Sequence, residues 1–233
     1  MNILQKRIKS KVEKDGRVLV VENIKYPVFE DGENKKLCDV MNKFYRGVAE
    51  KYSGYGNRIL PRKLIKAKIK CKTPFYIAMN YVCSVNENGI ISVVLDLTYS
   101  EGKNVKMRRF SQMWSIEKQD MLTHREFLKQ SLSAVKTAKS NVLELAKENA
   151  ENPAFGYFGD YLLRLNKAFS LNNCFALANG VAFFVQAGTL CNEKYGASTF
   201  VVPYSKLSQV VNSKFLAKNG EKDVVGVNNV NKL

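Results

Sequence analysis

His124 is the only histidine of the chain, and it lies in Thr123-His-Arg-Glu126, a sequence typical of a helix capping box. A Ser-His-Asp site would have to use this histidine, and a histidine in the first turn of a helix is more often solvated than catalytic. A single histidine also excludes a histidine-based metal cluster. The sequence therefore predicts neither a catalytic triad nor such a metal centre.

The thiols and carboxylates show no catalytic or metal-binding spacing either. The five cysteines lie apart in apolar surroundings and none forms a C-x-x-C pair: Cys38, Cys71, Cys83, Cys174 and Cys191. Buried free thiols are the interpretation that this pattern favours. The acidic group Glu30, Asp31 and Glu33 begins a predicted helix, where carboxylates favour the helix dipole. We predict no catalytic residue, no metal, no cofactor and no enzymatic activity.

The stretch LIKAKIKCK, residues 64–72, contains the most regular pattern of charge in the chain. A lysine occupies every second position: Lys66, Lys68, Lys70 and Lys72. This alternation predicts a strand over 63–73 with one aliphatic face and one lysine face. Two interpretations stay open. The lysines form a solvated face that prevents edge-to-edge pairing, or they bind an anionic partner. Arg108 and Arg109, in the last strand of the same predicted meander, would extend such a binding surface.

The overall charge favours an anionic partner. The net charge is +16, and residues 1–73 hold 19 of the 37 Lys and Arg but only 8 of the 21 Asp and Glu. Such an excess suits nucleic acid, an anionic cell-wall polymer, a membrane surface or an acidic protein. A platform for single-stranded nucleic acid would interleave aromatic and basic residues on one exposed face. The nearest such stretch is MRRFSQMW, residues 107–114.

Hydrophobic periodicity predicts strands clustered between helices. The predicted strands are 3–11, 17–29 (closing at Pro27), 63–73, 75–86, 90–100, 104–116, the hairpin CFALANG and VAFFVQAG, and 199–204. The predicted helices are 32–54 (ended by Gly54 and Gly56), one from the capping box to about 149, then 157–168 and 205–215 with Ser205 as N-cap. The joints Asn86-Glu-Asn-Gly89 and Asn179-Gly180 indicate hairpins.

This order predicts an α+β fold. We expect an antiparallel β-sheet meander with helices packed on one face, in the order β-α-ββββ-αα-βββ-α. The expected domains are 1–116 (strand, helix and meander) and 117–216 (helices and hairpin) packed on it, with a flexible tail over 217–233. No segment is apolar enough for a membrane span. We expect a cytoplasmic location, or the cell envelope or exterior if an N-terminal signal or anchor has been removed.

The segment FALANGVAFFVQAGTLCNEKYGASTFVVPYSKL, residues 175–207, resembles the ending of a bacterial domain family. That family forms the extracytoplasmic, lysozyme-sensing part of RsiV-type anti-sigma factors and the accessory region of some peptidoglycan deacetylases. The resemblance spans about residues 17–212. The matching residues are Gly180, Val181, Phe183, Phe184, Gly196, Phe200, Val201, Pro203, Tyr204, Ser205 and Leu207.

The resemblance implies a domain of unknown function that binds without catalysis. We expect it to recognise a protein or an anionic cell-envelope polymer through its sheet and loops. The candidate contact residues are Lys66, Lys68, Lys70, Lys72, Arg108 and Arg109. The alternative is a basic cytoplasmic protein that binds nucleic acid, with an affinity that falls steeply with salt. Neither the ligand nor the oligomeric state follows from the sequence.

Overall fold

The computed structural model describes residues 1–66, 73–101 and 104–216. Lys68, Lys70 and Lys72 and the predicted tail 217–233 therefore lie outside the described residues. The strands are β1 (Asn2–Lys14), β2 (Arg17–Glu30), β3 (Phe75–Glu87), β4 (Ile90–Glu101), β5 (Asn104–Ser115), β6 (Asp120–Leu122), β7 (Cys174–Leu177), β8 (Gly180–Val185) and β9 (Ser198–Pro203). The helices are α1 (Lys35–Gly54), α2 (Leu60–Lys66), α3 (His124–Phe127), α4 (Leu132–Ala150), α5 (Tyr161–Ala168) and α6 (Ser213–Leu216).

The fold is α+β, as predicted. In the described part of the chain, six strands form one sheet in the order β1-β2-β3-β4-β5-β6, and three form a second sheet in the order β7-β8-β9. The chain divides into two compact units. The first unit comprises residues 1–81 and 95–108, and the second comprises 82–94 and the chain from Arg109 onward. No helix within the described ranges is long and apolar enough to cross a membrane.

A long hairpin of β1 and β2 opens the first unit. Asp15 and Gly16 form its two-residue turn with φ of 51° and 72°, the left-handed conformation that suits hairpin turns. The strands pair antiparallel from Asn2↔Glu30 to Lys14↔Arg17, so both exceed their predicted lengths. Pro27 does not close β2, contrary to the prediction. It lies beyond Val20–Ile24, the stretch of β2 that pairs with β3, so its missing N–H removes no bond to that strand.

The helical connection between β2 and β3 differs most from the prediction. Gly54 and Gly56 do not end it, because α1 continues through a π-helical turn, Tyr55–Ile59, into α2. Residues 63–66 are therefore helical and not the start of a strand. Since the connection crosses over, β2 and β3 are parallel, and the sheet is mixed instead of wholly antiparallel.

The strands β3, β4 and β5 begin and end within one residue of the prediction. Asn88 and Gly89, with φ of 54° and 80°, form a two-residue turn between β3 and β4, within the predicted hairpin joint 86–89. The short strand β6, which pairs antiparallel with the end of β5, was not predicted. Its three residues are too few to show a period of two.

In the second unit, the predicted capping box is confirmed. Thr123 Oγ1 accepts from the Glu126 backbone N–H, and Glu126 Oε2 accepts from the Thr123 backbone N–H at 2.8 Å. The helix that it begins is only one turn long, however, because Leu128 is extended (ψ 139°) and Ser131 caps the separate helix α4. The predicted single helix to residue 149 is therefore two helices.

The remaining predicted elements of the second unit are present with shifted bounds. The hairpin of β7 and β8 turns at Ala178 and Asn179, directly before Gly180, and β9 completes the antiparallel sheet. Helix 157–168 shortens to α5. Helix 205–215 is reduced to a 3-10 turn and α6, and Ser205 is not an N-cap. The core of this unit joins α4 to the small sheet through residues such as Val142, Phe183 and Phe200.

Candidate functional site

The first unit contains a cavity of about 490 Å³, which we call the tyrosine cavity. This volume lies in the range of sites that hold small ligands or single large side chains. Its lining comes from α1, the π-helical turn, α2, β3, β4 and β5: Lys51, Tyr52, Tyr55, Leu60, Phe75, Tyr76, Ile77, Tyr99, Ser100, Asn104 and Lys106.

Three tyrosines give the cavity its aromatic wall. Tyr52 is in the last turn of α1, and Tyr55 follows three residues later, so the continuous helical path presents both on one side. Tyr99 approaches them from β4. Its ring centroid lies 6.3 Å from that of Tyr55, edge to face at 90°, and 6.4 Å from that of Tyr52. This geometry is the favourable one for aromatic pairs and holds the wall in place.

The base of the cavity is apolar. Leu60 and Ile77 are 9% and 1% exposed, and both belong to a buried cluster with Val20 and Leu64. Phe75 packs against that cluster from the start of β3. A ligand group that reaches this base meets carbon surface, so burial of an apolar group there is favourable and burial of an unpaired polar group is costly.

The phenol groups of Tyr52 and Tyr99 stay protonated at neutral pH. Burial raises the pKa of Tyr99 far above its ordinary value, and the neighbouring Tyr52 and Tyr55 raise it further. Burial also raises the pKa of Tyr52. Both hydroxyls are therefore neutral, and a hydrogen bond joins them to each other.

Lysines supply the charge of the cavity. Lys51 and Lys106 are both exposed and belong to α1 and β5, respectively. A third lysine, Lys63, places its Nζ 5.8 Å from the centroid of the Tyr55 ring. The described lining includes no carboxylate. The cavity thus combines an apolar base, neutral hydrogen-bond donors and a cationic rim.

A buried polar network holds the π-helical turn against β2. Glu22, 2% exposed, accepts from Ser10 Oγ at 2.7 Å and from Ser53 Oγ at 3.1 Å through Oε2. Asn57 donates to Ser53 Oγ at 3.0 Å. Glu22 Oε1 has no hydrogen-bond partner among the described residues and faces Gly56, the turn residue without a side chain. π-helical turns are frequent at functional sites, and this one presents Tyr55 to the cavity.

Of the sequence-predicted contact residues that the structure describes, Lys66, Arg108 and Arg109, none is a lining residue of this cavity. Lys66 is exposed at the end of α2, and Arg108 is exposed on β5; both belong to the first unit. Arg109, in the second unit, is 5% exposed and its Nη1 donates to Thr199 Oγ1 at 2.7 Å. Trp114 is 1% exposed, so MRRFSQMW does not present its tryptophan for stacking. Lys68, Lys70 and Lys72 are outside the described residues.

The histidine and the described cysteines are buried or half-buried. Burial lowers the pKa of His124 and raises the pKa of Cys174 and Cys191, so these side chains favour their uncharged forms. Burial also raises the pKa of Cys83 to about 11. Of the five cysteines, the four within the described ranges are free thiols, as predicted. Those ranges contain no cluster of three His, Cys, Asp or Glu arranged to hold a metal ion.

Sequence reasoning missed the tyrosine cavity for a definable reason. The predicted helix ended at Gly54 and Gly56, so Tyr55 was not expected on the same helical face as Tyr52. Had the helix been continued through YSGYGN, the spacing of three would have placed Tyr52 and Tyr55 side by side. The contribution of Tyr99 depends on tertiary packing and has no local signal in the sequence.

Comparisons with solved structures identify the fold. A member of the DUF3298 family from Bacteroides fragilis matches with a TM-score of 0.64 and 12% identity, over 95% of this chain and 98% of that chain. A DUF3298 family protein from Pseudomonas aeruginosa matches with a TM-score of 0.56 and 14% identity, over 92% and 97%. No family model and no curated protein matches the sequence. These neighbours support the predicted domain of unknown function, and at such identities they show the fold alone.

Proposed function

We propose that this chain is a non-enzymatic binding module that recognises a protein or an anionic cell-envelope polymer through the tyrosine cavity of its first unit. The observation that carries the proposal is the composition of the cavity. An aromatic wall and an apolar base provide contact area, and the described charged groups of the lining are lysines. A ligand that offers both an apolar group and negative charge fits this arrangement.

The chemistry of the lining supports binding over catalysis. General acid–base catalysis works best when the pKa of the catalytic group lies near the working pH. Burial moves the pKa of Tyr52 and Tyr99 upward, away from neutrality. With both phenols uncharged and hydrogen-bonded to each other, the wall offers a ligand fixed aromatic contact area, which suits recognition. The resemblance of residues 175–207 to sensing domains of RsiV-type anti-sigma factors supports the same assignment.

Binding to heparin, a model anionic polymer, and to a DNA duplex across a salt series tests the proposal. The wild type is compared with the Lys51→Gln, Lys106→Gln double variant. The matched control is Lys36→Gln with Lys43→Gln, which removes the same charge from exposed positions of α1 outside the cavity. We expect heparin to bind the wild type and the control equally and the cavity variant on the order of tenfold more weakly.

The salt series also separates the two classes of ligand. If duplex DNA binds more tightly than heparin, with a log–log slope near −0.9 per phosphate contact, the protein is a nucleic-acid-binding protein instead. Equal affinity of all three proteins for heparin would show that attraction is spread over the whole basic surface. That result would overturn the assignment to the cavity.

A further inference from the structure

We infer that the tyrosine cavity accepts one aromatic side chain of an extended acidic peptide, with acidic residues on both sides of that anchor paired to Lys51 and Lys106. This inference rests on the proposed function and names the partner chemistry of the same site. Aromatic residues are the usual anchors in buried pockets of protein interfaces.

The base favours an aromatic or large aliphatic group over a sugar ring. Leu60, Phe75 and Ile77 offer no hydrogen-bonding side-chain atoms to the hydroxyls of a glycan. Each hydroxyl buried there without a partner would carry its full desolvation cost. A phenyl ring has no hydrogen-bonding group and an indole ring has only one N–H, and both rings bury a large apolar area.

The wall and the mouth suit a peptide backbone. The edge-to-face pair of Tyr55 and Tyr99 provides ring edges and faces against which a further ring packs favourably. The polar side chains of Ser100 and Asn104 also line the cavity, and Asn104 is exposed. These side chains can donate to backbone carbonyls or carboxylates of an extended segment.

The rim sets the charge of the partner. Lys51 lies in the last turn of α1, and Lys106 lies on β5, so the two ammonium groups approach the cavity from different elements. A segment whose anchor enters the cavity carries its preceding and following side chains outside it. Acidic residues at those positions complement the two lysines, whereas basic residues would be repelled.

Fluorescence anisotropy with a fluorescein-labelled peptide DEDFDED tests this inference. One control peptide replaces the phenylalanine with alanine, and a second replaces every acid with its amide, giving NQNFNQN. We expect the wild type to bind DEDFDED on the order of thirtyfold more tightly than the alanine peptide, the loss usual for an interface anchor. The amide peptide should bind more weakly than DEDFDED and show little dependence on salt.

Protein variants test the two halves of the site separately. The double variant Lys51→Gln, Lys106→Gln should bind DEDFDED on the order of tenfold more weakly than the wild type, and its affinity for NQNFNQN should be unchanged. Asn104→Trp, at an exposed position of the lining, should obstruct the entrance and weaken both peptides. Lys36→Gln with Lys43→Gln should change neither. Unchanged thermal unfolding of each variant verifies that its fold is retained.

The outcomes distinguish this inference from the proposed function. Equal affinity for the phenylalanine and alanine peptides would overturn the aromatic anchor. If heparin binds at the cavity lysines and DEDFDED does not, the acidic-peptide inference is wrong and the polymer form of the proposed function stands. If the binding of neither heparin nor DEDFDED depends on the cavity residues, both proposals are wrong.

Discussion

Gly56 occupies a position in the π-helical turn where a side chain has no room. An added Cβ would overlap with Glu22 Oε1 and would come within 3.0 Å of Ile77 Cδ1. Glu22 cannot move easily, because Ser10 and Ser53 hold its other oxygen and only 2% of the residue is exposed. The glycine thus allows the helix to approach β2 and to present Tyr55.

We therefore expect Gly56→Ala to lower the free energy of unfolding by about 1–3 kcal/mol, the usual cost of overpacking a buried site. Gly47→Ala is the matched control, since Gly47 is exposed in α1 and a Cβ there meets nothing within 4 Å. That change should raise stability by about 0.5–1 kcal/mol, because alanine is the better helix former. Urea unfolding measures both, and equal effects would contradict the close packing at Gly56.

The Glu126 carboxylate makes stability depend on pH. A hydrogen bond from Lys118, followed by those from Thr123, lowers its pKa to about 2. Since the folded-state pKa lies below the unfolded value, the contribution is present above pH about 4.5 and is lost as the pH falls toward about 2. We expect Glu126→Gln, which retains the capping-box pattern, to cost about 0.5–1 kcal/mol at pH 7, because the carboxylate is 37% exposed and therefore screened.

Chemical unfolding of the wild type and Glu126→Gln from pH 7 to pH 2 measures this effect. The difference between the two proteins should shrink to near zero at the acid end. Thr123→Ala removes the cap on the Glu126 N–H as well as a hydrogen bond to the carboxylate. It should cost about 0.5–2 kcal/mol at pH 7 and, unlike Glu126→Gln, should keep part of that cost at the acid end. A difference between wild type and Glu126→Gln that is constant over the range would exclude the charge of Glu126 as its source.

At the scale of elements, helix α2 shows where pattern reading fails. The alternation of apolar residues and lysines begins only at Ile65, whereas Leu60 and Leu64 are four apart, the spacing of a helix face. Both are buried in the same cluster, whereas Ile65 is 43% exposed. Where a helical spacing and a strand-like alternation meet, a short stretch is ambiguous. Packing of Leu60 and Leu64 into the core decides for the helix, and that packing is not visible in the sequence.

The two assignments predict opposite roles for neighbouring residues. A strand would place Ile65 in the core and Leu64 on the lysine face, whereas α2 buries Leu64 to 4% exposure. We expect Leu64→Ala to cost about 2–5 kcal/mol and Ile65→Ala less than about 1 kcal/mol in urea unfolding. A larger cost for Ile65→Ala than for Leu64→Ala would support the strand assignment and contradict the helix.

Elements that depend on a short pattern of adjacent residues could be predicted from the sequence. The turn at Asn88-Gly89 and the capping box at Thr123 each need only a few adjacent residues, and both are present. The β7–β8 hairpin is also present, but it turns one residue before the expected Asn179-Gly180. Asp15-Gly16 carries the same hairpin signal, although only the flanking strands were predicted. The parallel pairing of β2 with β3 and the approach of Tyr99 to Tyr55 depend on long-range packing, so no local pattern reveals them.

At the scale of the whole molecule, the net charge of +16 acts on stability as well as on binding. Mutual repulsion of like charges disfavours the compact state, and salt screens this repulsion. The Debye length shortens from about 30 Å at 0.01 M salt to about 10 Å at 0.1 M. Added salt should therefore stabilise the folded protein even in the absence of a ligand.

We expect the unfolding temperature to rise by about 2–4 °C when NaCl is raised from about 0.01 M to about 0.2 M, which corresponds to about 1 kcal/mol for a chain of this size. Lys35, Lys43, Lys136 and Lys147 are exposed, and changing all four to Gln lowers the net charge from +16 to +12. This variant should unfold at a higher temperature in low salt and respond less to NaCl. If the wild type is instead destabilised by NaCl, attractive ion pairs outweigh the repulsion. The basic side chains would then be paired with the protein's own carboxylates, and the surface would attract an anionic partner less strongly.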